Sequence, residues 1–404
     1  MSNFAFGTYR ITDQNPQHIQ ALRDAIESGI TMIDTSSNYM DGAAERAIAL
    51  AMREFSEEKQ AEIEIVSKYG YIQGSNMLAH QENPFEEVVE FSEHCFHSIS
   101  PVFMQDQLTQ SLERLQREKI ECYLIHNPEY YLLDALNKNA DKDSTLDAMY
   151  ARLYEAFVGL EKEVQKGRID SYGISSNSFA KSPNDPEFLP YEDLLTLADK
   201  ASESVGNDTH NFTTLQLPIN ILEQEGLKCA EWAKSNGLRV LANRPLNAQK
   251  DAKMYRLAEY DESASYYQHL NEILDVCDNE TLKSLYNLFE ELDVNRHKFG
   301  WIGDFDTFLY ASILPHIRQT LEKLDEESLA SLLSLIDLFF EEYRKMVAYE
   351  CGLNTKKTLV ASFENCERTL QECAIGFLQG ERSVDYILVG MRKPSYVDEI
   401  LALK

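Results

Sequence analysis

Eight short runs of β-branched and aliphatic residues, each followed by a segment with helical spacing, set the strongest limit on the fold of this chain. Several runs carry Val, Ile and Leu at consecutive positions, which is typical of parallel strands covered on both faces. The runs are FAFGTY (4–9), TMIDT (31–35), EIEIVSK (62–68), ECYLIH (121–126), DSYGIS (170–175), FTTLQLP (212–218), LRVLANRP (238–245) and SVDYILVG (383–390). Eight strand–helix units predict a closed (β/α)8 barrel, the TIM barrel fold.

An open, doubly wound sheet is the alternative arrangement of the same units. Such a sheet usually carries a G-x-G-x-x-G turn after its first strand. The turn after the first run here reads GTYRIT, which lacks that fingerprint. The pattern therefore favours the barrel.

Residues 249–350 interrupt the alternation of strands and helices. Apolar residues recur there at three- and four-residue intervals, as in amphipathic helices, and no run resembles a parallel strand. We therefore predict one barrel domain over residues 1–404, with a helical insertion at 249–350 after the seventh strand. Two roles are open for this segment: a packing appendage or contact between copies, or a substrate lid, because it leaves the rim where such barrels carry their sites.

The formal net charge of −29 limits the partners of the chain. The electric field of this negative charge repels polyanions, so we expect no nonspecific binding to nucleic acid or to an anionic membrane. No stretch approaches the roughly 18 apolar residues of a membrane span, and the start lacks the features of a secretory signal. Seven cysteines without a C-x-x-C pair suggest neither a disulfide framework nor a zinc site. The expected setting is the reducing cytoplasm.

Polar residues stand where three consecutive predicted strands end. Asp34 ends the second strand, Lys68 the third and His126 the fourth, while Tyr39 follows in the loop after Asp34. Barrels of this kind keep their active sites at the C-terminal ends of the strands. Because neighbouring strands lie about 4.8 Å apart, we expect these side chains to lie close together.

Together, these four residues could transfer a proton to a substrate, which none of them indicates alone. A phenol has a reference pKa of about 10, which a nearby Lys68 ammonium would lower, while Asp34 would keep the lysine charged and in place. Tyr39 could then donate a proton to a carbonyl oxygen that His126 orients. No side chain donates a hydride, so reduction of the carbonyl carbon would require a nicotinamide cofactor. Each residue alone also has a structural interpretation, as a helix cap, a solvated lysine, a structural histidine or a packing tyrosine.

Six blocks of the sequence resemble, in order, the motifs of the aldo-keto reductase superfamily. GITMIDTSSNYMDGAAE (29–45) is similar to the signature G-(I/V)-x-x-(I/F)-D-T-A-x-x-Y-x-(G/N)-x-E. KGRIDSYGISSNSF resembles K-G-K-I-R-x-x-G-(V/I)-S-N-(F/Y). The other blocks are VSKYG, YLIHNPE, the pair LQLPINIL and VLANRPLNA, and the closing segment ILVGMRKPSYVDEIL. The resemblance covers the chain except the predicted insertion.

The resemblance implies roles for the residues at the strand ends. Tyr39 would be the general acid for reduction and the general base for oxidation, with Lys68 and Asp34 tuning its pKa. His126 would orient the substrate carbonyl and assist proton transfer. The substrate would be an aldehyde, a ketone or a sugar carbonyl.

The resemblance also implies a cofactor, NADP with NAD as the alternative. Its implied contacts are Gly7, Thr8, Ser175, Ser176, Asn177, Gln216, Arg244, Pro245, Leu246, Gly390, Arg392 and Lys393. The serine, asparagine and glutamine side chains would hold the nicotinamide carboxamide, and the extra serine in GISSN leaves open whether Ser176 or Asn177 takes the second position. The arginines and the lysine would face the phosphates. Asn243 departs from the pattern, because the family usually has an aromatic residue there that stacks on the nicotinamide.

Two other functions are weighed against the oxidoreductase. A catalytically weak nicotinamide-binding sensor or scaffold subunit could use residues 249–350 to bind a partner protein. A metal-dependent barrel hydrolase or isomerase would need several carboxylates or histidines at the strand ends, and Lys68 between Asp34 and His126 disfavours a cation. His94, Cys95 and His97 lack a fourth ligand for a tetrahedral site, so we predict no metal. The oligomeric state is not predicted.

Overall fold

The computed structural model describes residues 3–251, 253–322, 326–360 and 368–403, without the side chains of residues 326–328. It divides into two compact units. The first comprises Met1–Pro245 and Gly376–Lys404, and the second comprises Leu246–Ile375.

The first unit contains a closed barrel of eight parallel strands, which confirms the predicted fold. The barrel strands are β1 (Asn3–Gly7), β2 (Met32–Asp34), β3 (Glu64–Tyr69), β4 (Ile120–His126), β5 (Ile169–Ser175), β6 (Phe212–Pro218), β7 (Arg239–Asn243) and β8 (Tyr386–Val389). Each strand pairs with its neighbours in chain order, and β8 pairs with β1 to close the barrel. This register places the C-terminal ends of all eight strands on one rim.

Helices follow the strands around the first unit. They are Pro16–Glu27, Ala43–Met52, Glu57–Ala61, Ser75–Glu82, Pro101–Leu115, Tyr130–Asn137, Lys142–Gln165, the 3-10 turn Ser178–Ala180, Leu194–Val205, Gly226–Ser235 and Pro394–Leu401. Side-chain caps explain where several of them begin. Asn15 accepts from the backbone N–H of Gln17 just before Pro16, and the Ser100 side chain caps the next proline-led helix in the same way.

Apolar side chains of modest size fill the barrel interior, which is lined by Ala5, Met32, Val66, Cys122, Leu124, Leu241 and Leu388. Gly173 on β5 is a position where a larger residue would clash with the neighbouring strand. A Cβ on Gly173 of β5 would lie 1.8 Å from the carbonyl oxygen of Thr214 on β6. The close approach of these two strands therefore depends on the missing side chain.

The connection after β3 contains a small sheet. Three short antiparallel strands, Tyr71–Ile72, Val89–Ser92 and Cys95–His97, form what we call the rim sheet. Gly70 leads into it with a φ of +150°. These strands are too short to show a period-two pattern, so the sequence did not reveal them.

The second unit begins with a hairpin and continues as helices. The hairpin strands are Asn247–Lys250 and Lys253–Arg256. The helices are Tyr266–Cys277, Lys283–Asn295, Arg296–Lys298 (3-10), Ile302–Phe308, Leu309–Ile313 (π), Leu314–Leu321 and Glu326–Leu359. A further helix, Leu370–Gly380, starts in this unit and ends in the first.

The second unit has a hydrophobic core of its own, built around aromatic residues such as Tyr266, Phe289, Phe339 and Tyr343. The range 249–350 lies within this unit, and its role as an insertion in a single domain stays a prediction. Cys373 is disulfide-bonded, which the cysteine spacing did not indicate. No helix in the described part of the chain is long and apolar enough to cross a bilayer.

Candidate active site

A buried ion pair lies at the ends of β2 and β3. The Nζ atom of Lys68 is 2.7 Å from Oδ1 of Asp34, and it also donates to the Thr35 carbonyl at 2.7 Å. Gln216 of β6 reaches across the barrel and donates from Nε2 to the same Asp34 oxygen at 2.7 Å. Burial raises the pKa of Asp34 and lowers that of Lys68, and the attraction between the two charges opposes both shifts.

The phenol of Tyr39 lies against this pair. Lys68 donates to the Tyr39 hydroxyl at 3.4 Å, and its Nζ is 4.9 Å from the centre of the ring. The loop that carries Tyr39 turns sharply through Met40 and Asp41, whose φ angles are +50° and +53°. The Asp41 carboxylate anchors the turn by accepting from the Ser75 backbone and hydroxyl.

The protonation of Tyr39 differs from the expectation. Burial raises the pKa of Tyr39 well above its ordinary value, and the negative charge of Asp34 and the neighbouring Tyr9 act in the same direction. The lowering expected from Lys68 is therefore outweighed in this structure. The phenol is held in its protonated form, which is the form a proton donor must have.

His126 at the end of β4 completes the cluster. Its ring centre is 6.0 Å from that of Tyr39 and 4.8 Å from that of Tyr71, and both contacts are edge-on. Burial lowers the pKa of His126 well below its usual range, and the charge of Lys68 adds to this effect, so the ring is neutral at pH 7. Its Nδ1 atom is 3.1 Å from the hydroxyl oxygen of Ser36, while no described residue hydrogen-bonds to Nε2.

Of the residues expected at the nicotinamide, Ser175 ends β5 and Gln216 lies on β6, while Ser176 and Asn177 directly follow β5. Ser175 donates to Oε1 of Gln216 at 3.0 Å. Ser176 is buried, and its hydroxyl oxygen accepts from the Ser178 N–H, whereas Asn177 is exposed. The choice between Ser176 and Asn177 for the second carboxamide position therefore stays open.

Gly7 at the end of β1 is half-buried, and Gly390 just beyond β8 is exposed. A Cβ on Gly7 would lie 3.5 Å from the Val389 carbonyl, and a Cβ on Gly390 would lie 3.8 Å from the Gly7 oxygen. Thr8 is fully buried and donates to the Asp34 carbonyl at 2.9 Å. Thr8 is thus bonded to the backbone of Asp34, the residue whose carboxylate pairs with Lys68.

Arg244, just beyond β7, has a local ion-pair partner. Its Nη2 donates to Glu223 at 2.6 Å, and its backbone has a φ of +54°. Its Nε and the side-chain oxygen of Asn243 are buried without hydrogen-bond partners among the described residues. A buried unsatisfied guanidinium donor fits an anionic ligand group.

The other residues expected at the cofactor follow β7 and β8. Arg392 lies close enough to His18 to help burial lower the pKa of that histidine. Lys393 is exposed, with Nζ 5.9 Å from the Tyr396 ring centre. Pro245 ends the first unit and Leu246 begins the second. The buried, partnerless Nε of Arg244 and the hydrogen-bonding side chains of Ser175 and Gln216 are groups of the kind that a nicotinamide dinucleotide binds.

A model of the aldo/keto reductase family matches residues 3–403. The chain belongs to this family. Aldo/keto reductases are NAD(P)-dependent oxidoreductases, so the chain is an enzyme of that class. The curated proteins include no match to this sequence.

Solved structures similar to this aldo/keto reductase have low sequence identity to it. One is the holo form of aldo-keto reductase AKR11C1 from Bacillus halodurans, with 14% identity, a TM-score of 0.48 and coverage of 99% of this chain and 86% of the other. Another is the glycerol dehydrogenase AKR11B4 from Gluconobacter oxydans, with 17% identity, a TM-score of 0.48 and coverage of 98% and 84%. A third, from Klebsiella pneumoniae in complex with NADP and acetate, has 21% identity, a TM-score of 0.39 and coverage of 68% and 71%.

The geometry of this aldo/keto reductase brings Asp34, Lys68, Tyr39 and His126 together. Sequence reasoning missed Ser36 and Tyr71, which contact His126 from the loop after β2 and from the rim sheet. Ser36 offered a signal, because it lies two residues beyond Asp34 in the quoted motif. Tyr71 offered only its position shortly after Lys68. The described residues contain no cluster of potential metal ligands.

Proposed function

We propose that this aldo/keto reductase interconverts an aldehyde, ketone or sugar carbonyl and the corresponding alcohol, with Tyr39 as the proton donor and acceptor. The observation that carries the proposal is the single ammonium of Lys68, which contacts both the Asp34 carboxylate and the Tyr39 hydroxyl. A nicotinamide cofactor, when bound, supplies the hydride for reduction or accepts it in oxidation.

The proton step follows from the surroundings of Tyr39. Burial keeps the phenol protonated, so it can donate to a carbonyl oxygen as charge develops there. Loss of that proton leaves a phenolate beside the Lys68 ammonium, whose charge stabilises it. Asp34 fixes the position of the ammonium. In the oxidation direction the same phenolate takes the proton of an alcohol.

His126 and the polar side chains at the ends of β5 and β6 have binding roles in this proposal. The neutral His126 positions the substrate through Nε2, the ring nitrogen that the protein leaves unpaired among the described residues. Ser175, Ser176 and Gln216 would hold the nicotinamide carboxamide. Asn177, at the rim, is the alternative to Ser176.

Phosphate recognition is assigned to basic residues beyond β7 and β8. Arg244, Arg392 and Lys393 would hold the phosphates, because a strongly acidic chain must build an anion site locally. Two of these residues are adjacent, which favours the 2′-phosphate of NADP over NAD. Titration of the protein with NADPH and with NADH, followed by quenching of tryptophan fluorescence, compares the two; tighter binding of NADH would contradict this preference.

Tyr39→Phe tests the proposed function. The variant keeps the ring and removes the proton, so kcat/KM for NADPH-dependent reduction of a panel of aldehydes should fall by about 10²-fold or more, while NADPH affinity is retained. Tyr154→Phe, on the helix Lys142–Gln165, is the matched control and should keep full activity. Turnover by Tyr39→Phe equal to that of the wild type would refute the role of Tyr39. Tight NADPH binding with no turnover by the wild type would instead indicate the binding-subunit alternative.

A further inference from the structure

Tyr39 reaches the ion pair from a loop, residues 35–42, whose backbone is strained. Met40 and Asp41, which directly follow Tyr39, have φ angles of +50° and +53°. Residues with a Cβ rarely adopt such angles, and they persist only where surrounding contacts hold them. Both side chains are exposed, so their burial does not hold this turn. The polar contacts of Asp41 supply the restraint that burial does not.

One carboxylate oxygen of Asp41 makes two hydrogen bonds to the start of the helix Ser75–Glu82. Its Oδ1 accepts from the Ser75 backbone N–H at 3.0 Å and from the Ser75 hydroxyl at 2.8 Å. The N–H groups of a first helical turn have no partner within their own helix, and the helix dipole attracts a negative charge there. A Cβ on Gly74 would lie 2.6 Å from the same oxygen, so this close approach depends on a glycine. Asp41 therefore ties the loop to the end of a helix.

That helix is itself fixed to the barrel unit. Asn76, which is buried, exchanges two amide hydrogen bonds of 2.9 and 3.0 Å with Gln107 on the helix Pro101–Leu115. Arg114 near the end of this second helix pairs at 2.7 Å with Glu45, which belongs to the helix that follows the loop. The turn of the loop and the helix at its exit are thus both held by the helix Pro101–Leu115.

We propose that Asp41 is a positioning residue, whose hydrogen bonds to Ser75 hold the Tyr39 hydroxyl where it can exchange a proton with the reacting oxygen. The catalytic part of this inference rests on the proposed function, while the restraint of the loop by Asp41 does not. A displaced hydroxyl transfers its proton more slowly because the reaction depends steeply on the distance between the reacting atoms. Cofactor binding does not require the turn, so its affinity is unaffected.

Asp41→Gly separates positioning from folding. Glycine adopts a positive φ without strain, so the variant loses the carboxylate but also relieves the backbone. We expect Tm to stay within a few degrees of the wild type and NADPH affinity to be retained. The single-turnover rate of NADPH oxidation by the panel aldehyde that the wild type reduces fastest should fall about ten-fold. A wild-type rate overturns the proposal, and so does a slow rate accompanied by a large loss of Tm and of NADPH affinity.

Two further variants show whether the hydrogen bonds of Asp41 are responsible. Asp41→Asn keeps an acceptor oxygen and tolerates the left-handed backbone, so it should restore most of the wild-type rate. Asp141→Gly is the matched control, because Asp141 also caps a helix, accepting from the Ser144 N–H at 3.0 Å. It should lower Tm and leave the rate unchanged. An Asp41→Asn rate as low as that of Asp41→Gly, or equal slowing by Asp141→Gly, refutes the specific role.

Ser75→Ala tests the partner of Asp41. It removes the hydroxyl and keeps the backbone N–H, so the single-turnover rate should fall by up to about five-fold, as expected for one hydrogen bond. In the Asp41→Gly background the same change should cost nothing more. An unchanged rate in Ser75→Ala alone, or the same further slowing in both backgrounds, overturns the proposal. Ser75→Ala also decides the question if Asp41→Gly fails to fold.

Hydrogen exchange of the full-length protein, followed by mass spectrometry, measures the restraint without turnover. The Ala43 N–H donates to the Met40 carbonyl at 3.1 Å across the turn, and its intrinsic exchange rate does not depend on residue 41. It should exchange faster in Asp41→Gly than in the wild type and in Asp141→Gly. Equal exchange in all three overturns the restraint. If the wild type reduces no aldehyde while exchange rises in Asp41→Gly, the proposed function fails and the restraint by Asp41 stands.

Discussion

Lys68→Met removes one partner of the buried ion pair and retains most of the side-chain volume. The Asp34 carboxylate, which is 4% exposed, then keeps Gln216 as its side-chain donor among the described residues. Breaking a buried pair in this way costs about 3–5 kcal/mol of unfolding free energy, because the remaining charge is uncompensated. We expect a loss of that size at neutral pH, together with the loss of carbonyl reduction.

The stability of Lys68→Met should also depend on pH in a defined direction. Burial already raises the pKa of Asp34, and without Lys68 that pKa rises further. Native Asp34 then binds a proton at pH values where the unfolded carboxyl has lost it, so stability falls as the pH rises through this window and is regained as the pH is lowered. Lys68→Met should therefore be closer to the wild type at about pH 5 than at about pH 8.

Urea unfolding followed by tryptophan fluorescence measures these effects. The chain has two tryptophans, Trp232 in the first unit and Trp301 in the second, so a Trp301→Phe background makes the signal report the barrel unit. The double variant Asp34→Asn/Lys68→Met removes both charges, and it should be more stable than the sum of the single losses predicts by at least about 1 kcal/mol. A Lys68→Met loss below about 1 kcal/mol at every pH, or strictly additive single losses, would refute the reasoning.

Three further variants test other features of the barrel unit. Burial raises the pKa of Glu129 to about 7, so the unfolding free energy of the wild type should decrease as the pH rises from the ordinary carboxyl range through 7. Glu129→Gln should flatten this part of the curve of unfolding free energy against pH. An unchanged curve would contradict the raised pKa of Glu129. The buried hydroxyl of Tyr69 has no hydrogen-bond partner among the described residues, so Tyr69→Phe should keep or raise Tm in a thermal melt, and a fall of several degrees would count against this. A Cβ on Gly70 would lie 2.6 Å from both the His126 carbonyl oxygen and Nε2 of His97. Gly70→Ala should therefore lower the unfolding free energy by about 2 kcal/mol or more and reduce NADPH-dependent turnover. Wild-type stability and turnover in this variant would show that the backbone relaxes without cost.

The barrel could be predicted from the sequence because the pattern that indicates it, a short apolar run followed by a helix, is local and recurs eight times. Each buried parallel strand needs a continuous apolar run, and eight such runs remain visible without any knowledge of tertiary contacts. The rim sheet could not be predicted in this way. Its strands, such as Tyr71–Ile72 and Cys95–His97, are two to four residues long and carry no periodic pattern. Their pairing depends on contacts made after the barrel has positioned them.

The candidate active site also has some features that could be predicted from the sequence and others that could not. Asp34, Lys68 and His126 could be placed together because the ends of consecutive parallel strands share one rim. The direction of the Tyr39 pKa could not be predicted, because it depends on how deeply the loop packs, and burial outweighs the nearby ammonium. The same holds for the hydrogen bond between Ser36 and His126, which joins residues 90 positions apart through side-chain geometry alone.

The closure of the barrel has a consequence for the order of events during synthesis. β8 pairs with β1 and with β7, as Phe4 with Ile387 and Leu241 with Tyr386. On the ribosome, seven strands emerge long before the eighth, and the whole of Leu246–Ile375 is made in between. During that interval the edges of β1 and β7 present unpaired N–H and C=O groups, which favour intermolecular pairing. The nascent chain is therefore most prone to aggregate just before β8 appears, and barrel closure is completed when β8 pairs with β1 and β7.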